Sequence, residues 1–216
     1  MNTTVFAGPS LVGVASDLVG SPQFRIAPPA KRGDIDAIVR HSRGVGTIIL
    51  ADGRFHSELA VTHAELRRAL DAGWDVWGVS SIGAIRACEM RSLGMIGFGA
   101  VYERFASDPD FSDDEVALLH SGEAPFRPLS EPLVHIRALV EHLISIDAVS
   151  DDEARRIIAA LKQRWFGYRT IDVLQEAVTS CSSKPRNICE HYTSMISSFR
   201  IKVKDLSDLL DLHASR

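Results

Sequence analysis

The sequence predicts an α/β protein with a parallel sheet of about four to five strands and flanking helices, followed by a mainly helical C-terminal region. In the first half of the chain, short apolar runs bounded by Gly, Pro and Asp alternate with amphipathic stretches. From Ser112 onward the apolar residues follow helical periodicity. Because crossovers between parallel strands are right-handed, the alternation places helices on both faces of one sheet.

Four apolar runs have the length and boundaries of β-strands. They cover residues 5–7, 24–27, 47–51 and 76–79, and residues 96–102 offer a fifth strand. The amphipathic stretches between them predict helices at residues 11–19, 34–41, 62–72 and 82–93. Thr62 and Glu65 have the spacing of a capping box and Gly73 supplies a stop signal, so the helix at 62–72 has the clearest bounds.

The second half of the chain predicts helices. Capping boxes begin at Ser112 and at Ser150, and each is followed by apolar residues at helical spacing. The expected helices cover residues 113–120, 131–146, 151–165, 170–179 and 185–210. We therefore divide the chain into an α/β core at residues 1–110 and a helical region at residues 111–216, which we expect to pack on the core and to contribute partner surface.

The composition is that of a globular protein with one domain, or with one domain and a smaller lobe. Hydrophobic residues make up 45% of the 216 residues and charged residues 24%, which argues against a disordered protein. The formal net charge of -4 provides no general basic field, so nucleic-acid binding is not expected. Neither a signal peptide nor a membrane-spanning stretch is indicated, which favours a cytoplasmic protein.

The cysteines predict neither a disulfide framework nor a zinc site. Cys88, Cys181 and Cys189 are odd in number and contain no CxxC pair, a usage typical of reduced thiols. Gly97-Phe98-Gly99 lacks the GxGxxG context of a dinucleotide site, and the sequence has no Walker lysine motif. No metal and no cofactor are therefore expected.

The residues that follow the predicted strands are the first candidates for a functional site, because open parallel sheets bind ligands outside the carboxyl ends of their strands. These residues are Gly8-Pro9-Ser10, Pro28-Pro29-Ala30-Lys31-Arg32-Gly33-Asp34, Asp52-Gly53 and Ser80-Ser81-Ile82-Gly83. The four segments can meet at one edge of the sheet.

Ser81 lies between a predicted strand and a predicted helix, an arrangement similar to a nucleophile elbow. Val79 stands where the GxSxG motif requires glycine, so the motif is incomplete. The alternative is that Ser80 or Ser81 only caps the helix that begins near Gly83. The motif alone favours the cap.

Lys31 is the best placed candidate for a base, since the histidines fall in or near helices rather than at strand ends. It follows the second strand and precedes a helix, where the helix dipole and partial burial both disfavour the ammonium form. The alternative is that Lys31 and Arg32 bind an anionic group or face water. The residues alone favour this second interpretation.

In order along the chain, these motifs resemble those of the TfuA-like family over roughly residues 4–140. The matching segments are Val5-Phe6-Ala7-Gly8-Pro9-Ser10-Leu11, Pro28-Pro29-Ala30-Lys31-Arg32-Gly33-Asp34-Ile35, Asp52-Gly53-Arg54-Phe55, Val61-Thr62-His63-Ala64-Glu65-Leu66, residues 76–89, Gly94-Met95-Ile96-Gly97, Asp113-Asp114-Glu115-Val116-Ala117 and Ser130-Glu131-Pro132. The family commonly has Ala-Ser-Met-Gly where this chain has Ser80-Ser81-Ile82-Gly83, and alanine where this chain has Cys88.

The resemblance implies a partner of YcaO enzymes, which activate a peptide amide with ATP, in the thioamidation of a ribosomal peptide or protein. It also implies that the protein hydrolyses the C-terminal thiocarboxylate of a ThiS-like carrier and so releases sulfide. The catalytic residues carried over are Ser81 and Lys31. The resemblance leaves open whether Ser80 assists or replaces Ser81.

The expected mechanism assigns roles to further residues around this pair. Neutral Lys31 takes the Ser81 proton, and N–H groups near Ile82 and in the turn from Gly8 to Ser10 hold the oxyanion. The other expected substrate-binding or oxyanion residues are Arg32, Asp52, Gly83 and Arg86. Arg32 and Arg86 would orient the carboxyl end of the carrier.

A noncatalytic adaptor is the alternative function. It would bind the YcaO protein and the peptide, raise their affinity for each other and leave the Ser/Lys pair inert. A small-molecule serine hydrolase is disfavoured, because the chain lacks a complete GxSxG motif and a histidine at a strand end.

Overall fold

The computed structural model describes residues 3–54 and 58–215, which form two compact units. The first unit is an α/β unit built from the chain up to Asp113, from Glu123–Arg127 and from the chain beyond Lys202. The second unit is helical and comprises Asp114–Gly122 and Pro128–Ile201. The predicted fold class is confirmed: a parallel sheet with flanking helices is followed by a mainly helical region.

The α/β unit contains a five-stranded parallel sheet with the strand order β2-β1-β3-β4-β5. The strands are β1 (Thr3–Phe6), β2 (Phe24–Ala27), β3 (Thr47–Leu50), β4 (Asp75–Gly78) and β5 (Ile96–Gly97). The last residues of the strands pair with one another: Phe6 with Ala27 and Leu50, and Leu50 with Gly78. The loops that follow the first four strands therefore start at one level of the sheet.

Helices cover both faces of this sheet. They are α1 (Ser16–Val19), α2 (Asp34–His41), α3 (His63–Asp71), α4 (Ile82–Met90) and α5 (Ala100–Ser107), and α10 (Ile201–Ala214) joins them from the end of the chain. Side chains of β3 alternate between the faces, so Ile48 and Leu50 pack in the cluster with α2 to α4. Ile49 packs on the other face, in a cluster that includes Leu206 and Leu210 of α10.

The helical unit has a hydrophobic core of its own. Its helices are α6 (Leu133–Ser145), α7 (Asp151–Lys162), α8 (Ile171–Cys181) and α9 (Arg186–Ser194). The core side chains include Leu139, Leu143, Ile157 and Leu174, all fully buried. Among residues 3–54 and 58–215, no helix is long and apolar enough to cross a membrane.

Two of the three predicted capping boxes are confirmed, while the one predicted at Ser112 precedes only a 3-10 turn. Thr62 and Glu65 bond reciprocally at the start of α3, and Ser150 and Glu153 do so at the start of α7. Glu153 also accepts the N–H of Ser183, and these backbone hydrogen bonds lower the pKa of its carboxyl to about 2.

Three sequence-based boundaries are wrong because the local patterns concealed a break. The helix expected at 11–19 is reduced to α1, since Gly13 has a φ of 116° that a helix does not permit. The expected strand at 96–102 is limited to β5, because Gly99 has a φ of 91° and α5 begins after it. The expected helix at 185–210 is divided into α9, a 3-10 helix at Met195–Phe199 and α10, with Arg200 outside helical conformation.

The helix expected at 113–120 is also wrong, since only a 3-10 turn forms at Asp113–Glu115. The acidic side chains of this segment bind arginines instead of capping a helix. Asp114 accepts hydrogen bonds from the fully buried Arg169, and Glu115 forms a bidentate pair with Arg137. Tertiary charge pairing therefore overrides the local helical signal.

Candidate active site at the strand ends

Backbone hydrogen bonds join the loops that follow β2, β3 and β4. Ala30 donates its N–H to the carbonyl oxygen of Asp52 at 2.9 Å, and Arg54 donates to the carbonyl oxygen of Ala30 at 3.1 Å. The N–H of Gly83 donates to the carbonyl oxygen of Ala51 at 3.2 Å. The strand-end segments expected to meet at one edge of the sheet therefore lie side by side.

Asp52 ties the loop after β1 to the same region. Its buried carboxylate accepts the N–H groups of Gly8 and Ser10, each at 2.8 Å, and the hydroxyl of Ser10 at 2.8 Å. These two N–H groups were expected to hold an oxyanion. Since both are occupied by Asp52, we assign Gly8, Ser10 and Asp52 to fixing the loop instead.

A sharp turn connects β4 to α4. Ser80 has a φ of 65°, a left-handed conformation that is unusual for a residue other than glycine. Its side chain is fully buried, and its hydroxyl donates to the carbonyl oxygen of Lys202 in α10 at 2.6 Å. The hydroxyl of Ser80 is therefore committed to holding the turn.

Ser81 follows Ser80 in this turn and differs from it in its hydrogen bonding. It occupies the N-cap position of α4, yet its side chain accepts no capping hydrogen bond, and its hydroxyl makes no other hydrogen bond within residues 3–54 and 58–215. The residue as a whole is 4% exposed. The helix-cap interpretation of Ser80 and Ser81 therefore has no hydrogen bond to support it.

The first turn of α4 is pressed against β3 and β4. A Cβ atom on Gly83 would lie 1.7 Å from the carbonyl oxygen of Leu50, and one on Gly78 would lie 2.0 Å from the carbonyl oxygen of Gly83. Glycine is needed at both positions for this approach. In the part of the chain that the structure describes, the N–H of Ile82 has no hydrogen-bond partner, and it lies next to Ser81 at the positive end of the helix dipole.

The ammonium of Lys31 is bound to a carboxylate. Its Nζ lies 3.2 Å from Oε2 of Glu58, whose Oε1 accepts a hydrogen bond from Arg54 at 2.8 Å. The Lys31 side chain is 51% exposed, which is more than the sequence-based argument for a desolvated lysine expects. No hydrogen bond joins Lys31 to Ser81 within the described ranges. The neighbouring residue Ala30 is nevertheless bonded through its backbone to the loop that follows β3.

The two candidate arginines differ in their surroundings. Arg32 is exposed and is held through its backbone N–H, which donates to Leu59 at 2.8 Å. Arg86 is mostly buried, and its guanidinium is bound to the carbonyl oxygen of Val61 at 3.2 Å and to Glu89 at 2.6 Å. Arg32 is therefore the more available of the two for an anionic ligand.

Sequence reasoning missed the contribution of α10 to this region. Besides the bond from Ser80, α10 supplies Asp205, whose carboxylate accepts the N–H groups of Ala100 and Val101 at 3.0 and 2.9 Å. Burial raises the pKa of Asp205 to about 6, although these hydrogen bonds oppose the shift. Glu58 was also missed, since nothing in its local sequence indicates that it meets Lys31.

Within the described ranges no group of three or more His, Cys, Asp or Glu side chains is arranged to hold a metal ion. A family model described as TfuA-like protein matches residues 52–170, just over half of the chain. The chain belongs to the TfuA-like family. The TfuA-like match includes Ser81 and Arg86 but begins after Lys31 and Arg32, and it extends further toward the C-terminus than the resemblance expected over residues 4–140. No protein with a curated description matches the sequence.

Proposed function

We propose that this TfuA-like protein hydrolyses the C-terminal thiocarboxylate of a ThiS-like carrier and supplies the sulfide to a YcaO enzyme during peptide thioamidation. Membership of the family supports the link to YcaO chemistry. The observation that carries the hydrolase proposal is the hydroxyl of Ser81 beside the N–H of Ile82, neither of which has a hydrogen-bond partner among the described residues. A nucleophile next to an oxyanion donor is the minimum that acyl transfer requires.

The proposed reaction begins with attack of the Ser81 oxygen on the thiocarboxylate carbon. Lys31 accepts the hydroxyl proton, and the N–H of Ile82 donates a hydrogen bond to the oxygen that becomes negative. Lys31 then passes the proton to the departing sulfur, so the C–S bond breaks and HS⁻ leaves. Water hydrolyses the resulting Ser81 ester, which restores the hydroxyl and releases the carrier carboxylate.

Lys31 can act as the base only after its ammonium leaves Glu58. Its Nζ lies 3.2 Å from Oε2 of Glu58, and a base must be neutral and free to approach the hydroxyl of Ser81. The side chain is long and half exposed, so a change of rotamer can carry Nζ away from Glu58. We therefore propose that binding of the carrier breaks this pair and excludes water around Lys31.

Sulfide release from a thiocarboxylated carrier tests this function. The purified protein should release sulfide, and Ser81→Ala should reduce the rate by at least about 10³-fold while the carrier still binds. Ser80→Ala is the matched control, because it removes a neighbouring hydroxyl that is already committed to Lys202. A wild-type protein that binds the carrier without releasing sulfide would contradict the proposal.

The adaptor remains the second candidate, and the Lys31–Glu58 pair is the observation that favours it. A lysine held as an ammonium ion would leave the Ser/Lys pair inert. An adaptor with Ser81→Ala should support thioamidation at the wild-type rate with the carrier as the sulfur source. A hydrolase with the same substitution should require added sulfide.

A further inference from the structure

A cleft of about 320 Å³ lies beside the edge strand β2. Its lining includes residues of the loops that follow β2 and β3. Phe6, Ala27 and Ile38 give it apolar walls. Arg54 also lines it, and the preceding residue, Gly53, packs against Ile82: a Cβ atom on Gly53 would lie 2.8 Å from Cγ2 of Ile82. One lining residue of the cleft is therefore next in the chain to a residue in contact with Ile82, whose N–H is proposed to hold the oxyanion.

Cations outnumber carboxylates along this cleft. Arg25, Lys31 and Arg54 line it, and Lys31 and Arg54 share the carboxylate of Glu58. Asp34 also lines the cleft, and it accepts the backbone N–H of Lys31 at 2.9 Å. Arg25 is exposed, and within the described ranges its guanidinium makes no ion pair or hydrogen bond. In a chain with a net charge of -4, this is a local positive excess with one unused guanidinium.

The ligand that fits these features is an extended peptide carrying a carboxylate. The cations of the cleft already bind one carboxylate of the chain itself, because Glu58 bridges Lys31 and Arg54. Apolar walls suit the peptide between its charged groups better than they suit a small inorganic anion. The neighbouring strand β2 is at the edge of the sheet, where extended segments commonly bind proteins.

We infer that this cleft binds a carboxylate-bearing extended peptide segment through Arg25 and Arg54, with Glu58 as an internal competitor. The identity of this segment rests on the proposed function: it is the tail of the carrier that leads to the C-terminal thiocarboxylate. A tail seated in the cleft runs past Arg54 toward Gly53 and Ile82, and its carboxylate displaces Glu58. The cleft thereby selects carriers with an acidic tail.

Fluorescence anisotropy with the full-length protein tests the inference without requiring catalysis. The probes are a short labelled peptide with two glutamates and a control peptide of otherwise identical sequence with two glutamines in their place. The glutamate peptide should bind more tightly, and Arg25→Glu should weaken its binding about fivefold or more. Arg43→Glu is the matched control, since Arg43 is exposed and lies beyond the far end of α2. Glu58→Gln should strengthen binding, because it removes the competitor.

Equal binding of the two peptides, or equal effects of Arg25→Glu and Arg43→Glu, would overturn the inference. Sulfide release then separates it from the proposed function. If the protein releases sulfide and Arg25→Glu leaves KM for an acidic-tailed carrier unchanged, the cleft has no such role while the hydrolase stands. If the protein releases no sulfide but discriminates between the peptides as expected, the cleft stands and the hydrolase does not.

Discussion

Replacing Asp205 by asparagine tests how α10 is held in the α/β unit. The side chain is 4% exposed and accepts two N–H groups at the start of α5. A Cβ atom on Gly99 would lie 2.4 Å from Cγ of Asp205, so the carboxyl group of Asp205 is in close contact with the backbone that precedes α5. The same helix supplies the carbonyl oxygen that holds Ser80, so Asp205 bears on the geometry of the candidate site.

The expected effect follows from the pKa of Asp205, which burial raises from 3.8 to about 6. Because the folded state retains the proton over a range in which the unfolded chain has lost it, this group stabilises the fold below pH 3.8 and loses that contribution as pH rises through about 6. The shift corresponds to roughly 3 kcal/mol. Asp205→Asn stays neutral, so the stability of the variant relative to wild type should increase by about this amount between pH 3.8 and pH 7.

Urea unfolding of both proteins across this pH range measures the difference in their unfolding free energies. Subtracting the two curves cancels groups that titrate alike in both, including Glu153, whose lowered pKa makes its own contribution fall at acidic pH. A difference between wild type and variant that does not change from pH 3.8 to pH 7 would contradict a raised pKa for Asp205. The carboxyl would then have an ordinary pKa in the fold.

Three further predictions concern close packing, the base and the partner surface. Gly83→Ala should lower the unfolding free energy in a urea titration by about 3 kcal/mol or more, because the added Cβ atom would overlap a carbonyl oxygen of β3. Gly44→Ala is the control and should have little effect, since a Cβ atom there has no neighbour within 4 Å. Lys31→Arg should be nearly inactive in the sulfide assay, since arginine cannot take the proton of Ser81. Substantial activity would reassign this residue to anion binding. Arg155→Glu combined with Arg156→Glu on α7 should weaken YcaO binding several-fold in calorimetry, and unchanged affinity in a folded variant would exclude this face.

Local signals predicted the framework of the molecule well. Strand alternation predicted the parallel sheet, and the Thr62–Glu65 and Ser150–Glu153 spacings predicted helix starts that the structure confirms. These features depend on neighbouring residues and on strand order. The meeting of the strand-end loops follows from parallel pairing alone, which is why the site region was predictable.

Side-chain partners from distant parts of the chain were not predictable. The hydroxyl of Ser80 bonds to a residue 122 positions away in α10, and Asp52 occupies the N–H groups of Gly8 and Ser10 from another loop. Lys31 is paired with Glu58 across loops in the same way. Each pairing changes what the residue can do chemically, yet each depends on the tertiary fold rather than on a local motif.

Sulfide release by Ser81→Ala and Ser80→Ala, measured side by side with one thiocarboxylated carrier, tests whether Ser81 is the nucleophile. Loss of the buried bond to Lys202 should cost Ser80→Ala about 1 kcal/mol of stability and leave sulfide release close to wild type. Ser81→Ala should be stable, should bind the carrier and should release almost no sulfide. An inactive Ser80→Ala beside an active Ser81→Ala would contradict the assignment of the nucleophile.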